Sequence, residues 1–266
     1  MSNFKFRDHY INYEIYGKGY PLVILNGIMM STNSWHQFLE ELTKHNQVIL
    51  VDFVDQGQSD DFKGESYSYE FQTELLKELF DFLKIDQVNI ASISYGGQIA
   101  LDFASKYPSI VNKLVLFNTT AHVSEWMKET YDLWLAGIRT KNGLVYYKAS
   151  IPTIYSQTFF KDKLAWMKER ESILLPLFND EKFLSRQERL ILSTYDLDII
   201  DKLDKVSAKT LIVASMEDSL TPIKMQEDIH KMIKNSEYIL IPNAGHASMY
   251  EKPKLFTSLI LGFINV

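Results

Sequence analysis

The sequence predicts a single α/β domain with a mostly parallel β-sheet, into which a helical unit is inserted. The chain has 266 residues, 46% of them hydrophobic, which is enough for one sizeable core. Short apolar runs alternate with segments of helical periodicity, a pattern typical of right-handed β-α-β crossovers with helices on both faces of a sheet. The alternation stops between residues 121 and 206 and then resumes, with no linker at either border. We therefore expect residues 1–266 to form one domain, with residues 121–206 inserted within it.

The strands are predicted from short runs rich in β-branched and aromatic residues. In chain order they cover residues 4–8, 11–16, 22–25, 48–53, 88–93, 114–117, 210–214 and 238–241. The helices are predicted from apolar residues that recur every three or four positions. They cover residues 35–43, 69–83, 98–107, 223–233 and 253–263, and the last of them has a proline in its first turn.

Residues 121–206 hold helix-like segments rich in aromatic side chains and no apolar strand run followed by a helix. The aromatic residues include Trp126, Tyr131, Trp134, Tyr146, Tyr147, Tyr155, Phe159, Phe160 and Trp166. Most of these side chains should pack the inserted helices against one another. We expect a few of them to line a cleft.

Composition and charge narrow the class of protein. The net charge of −6 is spread along the chain without a basic stripe, so neither nucleic acid nor an anionic membrane is an expected partner. The chain has no cysteine, which rules out disulfides and agrees with a reducing compartment; a cytoplasmic location is the expectation. Residues 1–9 lack the apolar core of a secretion signal, and no later run of about 18 apolar residues predicts a membrane span.

Ser94 is the candidate nucleophile. It lies in the segment Ser-Ile-Ser-Tyr-Gly-Gly at residues 92–97, between an apolar strand and a helix. Such a turn pushes a hydroxyl out of the sheet and holds it in strained backbone torsions, so the flanking residues must be small. Ser92, Gly96 and Gly97 meet that requirement.

Asp218 and His246 are the candidate acid and base. A serine hydroxyl needs a base to take its proton, and the base needs an acid to fix its tautomer. Asp218 comes just after the strand at residues 210–214, and His246 just after the strand at residues 238–241. Because the carboxyl ends of parallel strands share one edge of the sheet, Ser94, Asp218 and His246 should converge there.

The order Ser, Asp, His, with each residue at a strand end, resembles the α/β-hydrolase superfamily, in its serine hydrolase branch with a helical cap. The resemblance implies about eight strands and a cap formed by residues 121–206. The segment Asn-Gly-Ile at residues 26–28 stands where the family usually has His-Gly-x, which implies the backbone N–H groups of Ile28 and Tyr95 as oxyanion donors.

Three segments depart from the family pattern. Ser92 replaces the first glycine of G-x-S-x-G, Asn26 replaces histidine, and Val-Asp at residues 54–55 replaces Arg-Gly in D-x-R-G-x-G-x-S. None of the three removes a reacting atom. Asp-x-x-x-Pro at residues 218–222 matches the family's acid turn, so Asp218 is preferred to its neighbour Glu217 as the acid.

These observations predict a serine hydrolase that forms an acyl-enzyme on Ser94 from a small or medium ester, thioester or lactone. An apolar acyl part is expected, because Met29, Met30 and the aromatic insertion supply little charge recognition. Carbon–carbon hydrolysis or lyase chemistry with the same triad, and a non-catalytic ligand receptor on the same fold, remain alternatives. No metal-ligand or phosphate-loop motif is present, so no cofactor is expected, and the oligomeric state stays open.

Overall fold

The computed structural model describes residues 2–266, which form an eight-stranded sheet in the order β1-β2-β4-β3-β5-β6-β7-β8. The strands are β1 (Ser2–Phe6), β2 (His9–Tyr16), β3 (Tyr20–Leu25), β4 (Asn46–Val51), β5 (Val88–Ile93), β6 (Val111–Phe117), β7 (Lys209–Ser215) and β8 (Ser236–Ile241). β2 pairs antiparallel with both of its neighbours, and every pair from β4 to β8 is parallel. The mostly parallel sheet predicted from the sequence is confirmed.

The helices lie on both faces of the sheet and in one long insertion. They are α1 (Leu39–Leu42), α2 (Tyr69–Leu83), α3 (Tyr95–Lys106), α4 (Glu125–Arg139), α5 (Gly143–Ile154), α6 (Gln157–Asp162), α7 (Leu164–Phe178), α8 (Glu181–Ser193), α9 (Ile223–Met232), α10 (Ser248–Glu251) and α11 (Pro253–Ile264). Two 3-10 helices cover Thr32–Phe38 and Ile200–Lys205. Helices α4 to α8 all fall between β6 and β7, within the predicted insertion. Among residues 2–266, no helix is both long and apolar enough to cross a bilayer.

Alternate residues of the strands face two separate cores. In β3, Val23 and Leu25 pack in a core that includes α2 and α3, whereas Leu22 and Ile24 pack in a second core that includes α11. All four side chains are fully buried. The period-two alternation of a strand therefore places apolar groups on both faces, as expected for a parallel sheet covered by helices on each side.

The structure corrects two predicted helices next to the site. Residues 35–43, predicted as one helix, form the 3-10 helix Thr32–Phe38 followed by the single turn α1. The buried Trp35 donates its indole N–H to Asn26, and this tertiary contact holds the tighter turn. The helix predicted from residue 98 begins at Tyr95, because the turn at Ser94 leads directly into α3 without an intervening loop.

Candidate active site

Ser94 occupies a strained turn between β5 and α3. Its backbone has φ 54° and ψ −122°, outside the regions that non-glycine residues ordinarily adopt. Two hydrogen bonds hold the turn in place: the Ser94 N–H donates to the Phe117 carbonyl oxygen at 3.0 Å, and the Thr119 hydroxyl donates to the Ser94 carbonyl oxygen at 2.8 Å. The side chain of Ser94 is thereby presented at the carboxyl edge of the sheet, as the sequence pattern predicts.

The glycines after Ser94 are required by close backbone approach. A Cβ atom on Gly96 would lie 2.7 Å from the Asn26 carbonyl oxygen, and one on Gly97 would lie 2.5 Å from the Thr119 hydroxyl oxygen. Both distances are shorter than a carbon and an oxygen can approach. The small residues predicted from the segment are therefore needed where the strand and the helix nearly collide.

The structure brings Ser94, His246 and Asp218 together, although they are far apart in sequence. The Ser94 hydroxyl oxygen lies 2.7 Å from Nε2 of His246, and Nδ1 of His246 lies 2.9 Å from Oδ2 of Asp218. The Asp218 carboxylate is fully buried, and the imidazole is almost as well buried. An acid that accepts from Nδ1 leaves Nε2 free to accept a proton from the serine.

Asp218 is held by four further donors that the sequence analysis did not single out. Its Oδ1 accepts the backbone N–H groups of Leu220 and Thr221 at 3.0 and 2.8 Å. Its Oδ2 accepts the Thr221 hydroxyl at 2.7 Å and the Asn118 amide at 2.9 Å, in addition to His246. Hydrogen bonds of this kind fix the orientation of the carboxylate. Asn118 belongs to no motif, whereas Thr221 lies at a variable position of the Asp-x-x-x-Pro turn at residues 218–222.

The family resemblance implies the N–H groups of Ile28 and Tyr95 as oxyanion donors. Within residues 2–266, neither the Ile28 N–H nor the Tyr95 N–H donates a hydrogen bond. Tyr95 is the first residue of α3, where an N–H has no acceptor within its own helix. Both residues line the cavity that contains Ser94.

The cavity above Ser94 lies between the sheet edge and the inserted helices. The centre of a water-sized molecule can occupy about 100 Å³ of it, which is room for several water molecules, and its mouth opens to solvent. Met29 and Met30 line it as expected, together with Tyr131, Trp134 and Tyr155 from the insertion. Burial raises the pKa of Tyr131 to about 12 and also raises that of Tyr155, so both phenols stay neutral.

Arg170 also lines this cavity, which the sequence analysis did not predict. It lies within a run of charged residues, Lys-Glu-Arg-Glu at 168–171, that is typical of a solvated helix face. Its spacing gives the contrary signal, since Trp166 and Leu174 lie four positions before and after it on the same face of α7. The expectation of little charge recognition rests on Met29, Met30 and the aromatic residues, and Arg170 adds one charged side chain to that lining.

Asn26 and Asp55, two residues that differ from the family pattern, form side-chain contacts with other parts of the chain. Asn26 donates to the Val51 carbonyl oxygen at 2.9 Å and accepts the Trp35 indole N–H at 2.7 Å, so its side chain braces the loop that carries Ile28. Asp55 has φ 69°, a left-handed conformation that favours glycine, which is the residue in the family pattern. Its carboxylate pairs with Arg189 of α8, with Arg189 Nε 2.9 Å from Oδ2.

Two glutamates tie the start of α6 to the loops that carry Asp218 and His246. Glu251 accepts the Ser156 N–H at 2.9 Å and the Gly245 N–H at 3.1 Å, next to His246. Glu217 accepts the Thr158 hydroxyl at 2.6 Å and the Thr158 N–H at 3.0 Å. The structure therefore directs Glu217 away from His246 and towards the inserted helices.

The fold and the site can be compared with known proteins. A family model described as the alpha/beta hydrolase fold matches residues 20–253. The chain belongs to the α/β-hydrolase fold family. The family and the eight-stranded fold predicted from the sequence are confirmed by this match and by the structural neighbours.

One solved structure and two curated proteins illustrate the similarity. The crystal structure of MGS-M2, an α/β hydrolase enzyme from a Medee basin deep-sea metagenome library, has 44% identity and a TM-score of 0.97, covering 100% of this chain and 98% of that chain. A putative 2-succinyl-6-hydroxy-2,4-cyclohexadiene-1-carboxylate synthase of Bacillus subtilis is 27% identical, covering 91% of this chain and 89% of that protein. A 2-hydroxy-6-oxo-2,4-heptadienoate hydrolase of Pseudomonas putida is 25% identical, covering 93% of this chain and 90% of that protein.

Proposed function

We propose that this protein is a serine hydrolase that cleaves an ester-type bond through an acyl-enzyme on Ser94. The observation that carries the proposal is the continuous hydrogen-bond chain from the Ser94 hydroxyl through His246 to the buried Asp218. A chain of this kind at the floor of an open cavity is the arrangement that nucleophilic acyl transfer requires.

The proposed reaction has two halves. The Ser94 oxygen attacks the substrate carbonyl carbon while Nε2 of His246 takes the hydroxyl proton, and the N–H groups of Ile28 and Tyr95 donate to the resulting oxyanion. The bond to the leaving group then breaks, and His246 gives its proton to that group. A water molecule, deprotonated by His246, attacks the acyl-enzyme in the same way and releases the acid and Ser94.

The proposed substrate is a small or medium carboxylic ester, thioester or lactone. The insertion at residues 121–206 acts in this proposal as a cap, because its residues Tyr131, Trp134 and Tyr155 line the cavity opposite Ser94. Their largely apolar surface favours the burial of an acyl chain. The location proposed for the protein is the cytoplasm.

The test combines turnover with covalent labelling. We expect the protein to hydrolyse p-nitrophenyl esters and to react with a fluorophosphonate, and the variant Ser94→Ala to lose both activities. A fall in turnover on the order of 10⁴-fold or more is expected for this variant if its fold is intact. Turnover by Ser94→Ala close to that of the native protein would contradict the proposal.

A second candidate function is hydrolysis of a carbon–carbon bond with the same residues. It is favoured by the similarity to a protein named 2-hydroxy-6-oxo-2,4-heptadienoate hydrolase. If Ser94 reacts with the fluorophosphonate but no ester is hydrolysed, this candidate becomes the better one. Tight binding of a ligand without turnover of esters or of carbon–carbon substrates would instead indicate a receptor.

A further inference from the structure

Arg170 is the one lysine, arginine or acidic residue that lines the cavity of Ser94, among the residues that the structure describes. It belongs to α7 of the insertion, and the cavity residues around it are aromatic or aliphatic: Tyr155, Leu174 and Tyr250. A guanidinium is charged at all relevant pH values, so its presence in an apolar wall requires an explanation.

Arg170 differs from the other arginines of the chain in having no carboxylate partner. The other four, Arg7, Arg139, Arg186 and Arg189, each pair with an aspartate or a glutamate. Within residues 2–266, no acidic oxygen lies within 4.0 Å of the Arg170 nitrogens, and Nε is a buried donor without an acceptor. A donor left in this state is costly, because it has lost water and gained no protein partner.

The aromatic neighbours of Arg170 fix its position, but none of them accepts a hydrogen bond from Nε. Its central carbon lies 4.3 Å from the centre of the Tyr250 ring and 5.2 Å from the centre of the Trp166 ring. Cation–π contacts of this kind leave the Nε–H, which lies on the edge of the guanidinium, available to an acceptor. A purely structural role of Arg170 would explain its contacts with the rings but not the Nε–H that lacks an acceptor.

The nearby carboxylates are already engaged elsewhere. Glu171, the next residue in α7, pairs with Lys148 at 2.8 Å and with Lys168 at 3.3 Å. Glu251 accepts from Ser156 and Gly245. No acidic group in the described part of the chain therefore pairs with Arg170, which leaves its Nε–H for an acceptor on a bound molecule.

We propose that Arg170 binds a carboxylate on the substrate, so that the preferred substrates are esters, thioesters or lactones that carry a second, anionic group. This inference rests on the proposed function of Ser94. The planar guanidinium matches the two oxygens of a carboxylate and binds them with charge-assisted hydrogen bonds. The apolar wall between Arg170 and Ser94 then contacts the hydrocarbon part of the molecule. Arg170 becomes the residue that sets specificity for charge.

The experiment compares two esters with the same six-carbon acyl chain. Mono-4-nitrophenyl adipate carries a terminal carboxylate, and 4-nitrophenyl hexanoate is its neutral counterpart. The measured quantity is the ratio of kcat/KM for the adipate ester to kcat/KM for the hexanoate ester. We expect this ratio to fall about 10- to 100-fold in Arg170→Gln, the loss typical of a hydrogen bond to a charged group, and to fall less in Arg170→Lys.

Arg139→Gln is the matched control. Arg139 also lies in the insertion but is mostly exposed and pairs with Glu188, so the ratio should stay within about twofold of the native value. An unchanged ratio in Arg170→Gln, with both esters still hydrolysed, overturns the inference and leaves the proposed function of Ser94 in place.

A binding measurement tests Arg170 separately from turnover. In the Ser94→Ala background, monomethyl adipate and dimethyl adipate are titrated by calorimetry, with and without Arg170→Gln. We expect Arg170→Gln to weaken the binding of monomethyl adipate about tenfold or more relative to dimethyl adipate. Equal weakening of the two ligands, or none, refutes a carboxylate site even if the native protein hydrolyses no ester. A failure of ester hydrolysis together with the expected binding difference refutes only the proposed reaction.

Discussion

Replacing Asp218 with asparagine tests the proposed acid at the level of single hydrogen bonds. The carboxylate accepts five bonds: two backbone N–H groups at Oδ1, and Asn118, Thr221 and His246 at Oδ2. An amide of the same shape offers one oxygen and one NH₂ group, so one of the two positions must turn from acceptor to donor.

The two orientations of the new amide differ in cost. With its NH₂ at the Oδ1 position, it would face two backbone N–H groups that cannot move away. With its NH₂ at the Oδ2 position, the Thr221 hydroxyl can rotate and His246 can change tautomer, which leaves only the Asn118 amide opposed. The Asn118 amide cannot turn, because its Oδ1 accepts the Ser248 hydroxyl at 2.7 Å. The second orientation therefore has at least one unsatisfied buried donor fewer, and each such donor costs about 1–3 kcal/mol.

The favoured orientation disables the base. His246 would then carry its proton on Nε2, facing Ser94, and could not accept the serine proton. We expect kcat for p-nitrophenyl ester hydrolysis to fall on the order of 10⁴-fold in Asp218→Asn, since the negative charge that stabilises the imidazolium is lost as well. Stability should fall by about 1–3 kcal/mol, measured by urea denaturation, because one donor remains unsatisfied.

Glu217→Gln is the control for this prediction, since Glu217 is adjacent in sequence but bonds to Thr158. Its kcat should stay within about threefold of the native value, because no contact of Glu217 reaches His246. If Asp218→Asn retains a folded structure and turns over within tenfold of the native protein, or if Glu217→Gln is the more damaging change, the acid is misassigned.

Three other predictions concern the turn, the insertion and the cavity. Gly97→Ala should cost about 1–3 kcal/mol of stability, because its Cβ would overlap Thr119. Gly262→Ala should be neutral or stabilising, because a Cβ there would have no atom within 4 Å. Equal urea midpoints for the two variants would contradict this. Hydrogen bonds from Thr158 lower the pKa of Glu217. The native protein should therefore be more stable than Glu217→Gln above pH 4.5, and this difference in the free energy of unfolding should disappear as the pH falls through the lowered pKa. A difference that does not change with pH would exclude this linkage. For neutral p-nitrophenyl esters, kcat/KM should rise about fourfold per methylene, from about 0.8 kcal/mol each, between acetyl and hexanoyl; a strict preference for acetyl would mean a closed acyl pocket.

The sequence predicts the meeting of Ser94, Asp218 and His246 because a parallel sheet collects the carboxyl ends of its strands at one edge. The structure places all three within hydrogen-bonding distance. This inference needs only the order of strands and helices along the chain, and the spacing of apolar residues predicts that order well. Asn118 could not be singled out in the same way, because an asparagine after a strand has many possible roles and only the folded geometry directs its amide at Asp218.

The helical insertion is where sequence periodicity is least informative. Arg170 lies among charged neighbours, so its sequence indicates an exposed helix face, and only the docking of α7 over the sheet turns it into the cavity. Glu251 is another example: it lies 95 positions from Ser156, and no local pattern predicts their pairing. Contacts between distant segments decide both cases, and a single sequence carries no local signal for them.

The contacts that hold the insertion also determine how the cavity can respond to a substrate. On one side, Arg189 pairs with the buried Asp55; on the other, Ser156 bonds to Glu251 beside the loop of His246. Burial raises the pKa of Glu251, and three donors from two separate segments hold its side chain in place. An insertion fastened at both sides cannot move far from the sheet without breaking buried polar contacts, each of which is costly to leave unsatisfied. The space between Arg170 and Ser94 is therefore set by the folded protein before a substrate binds, and a series of acyl chains of increasing length measures that fixed space.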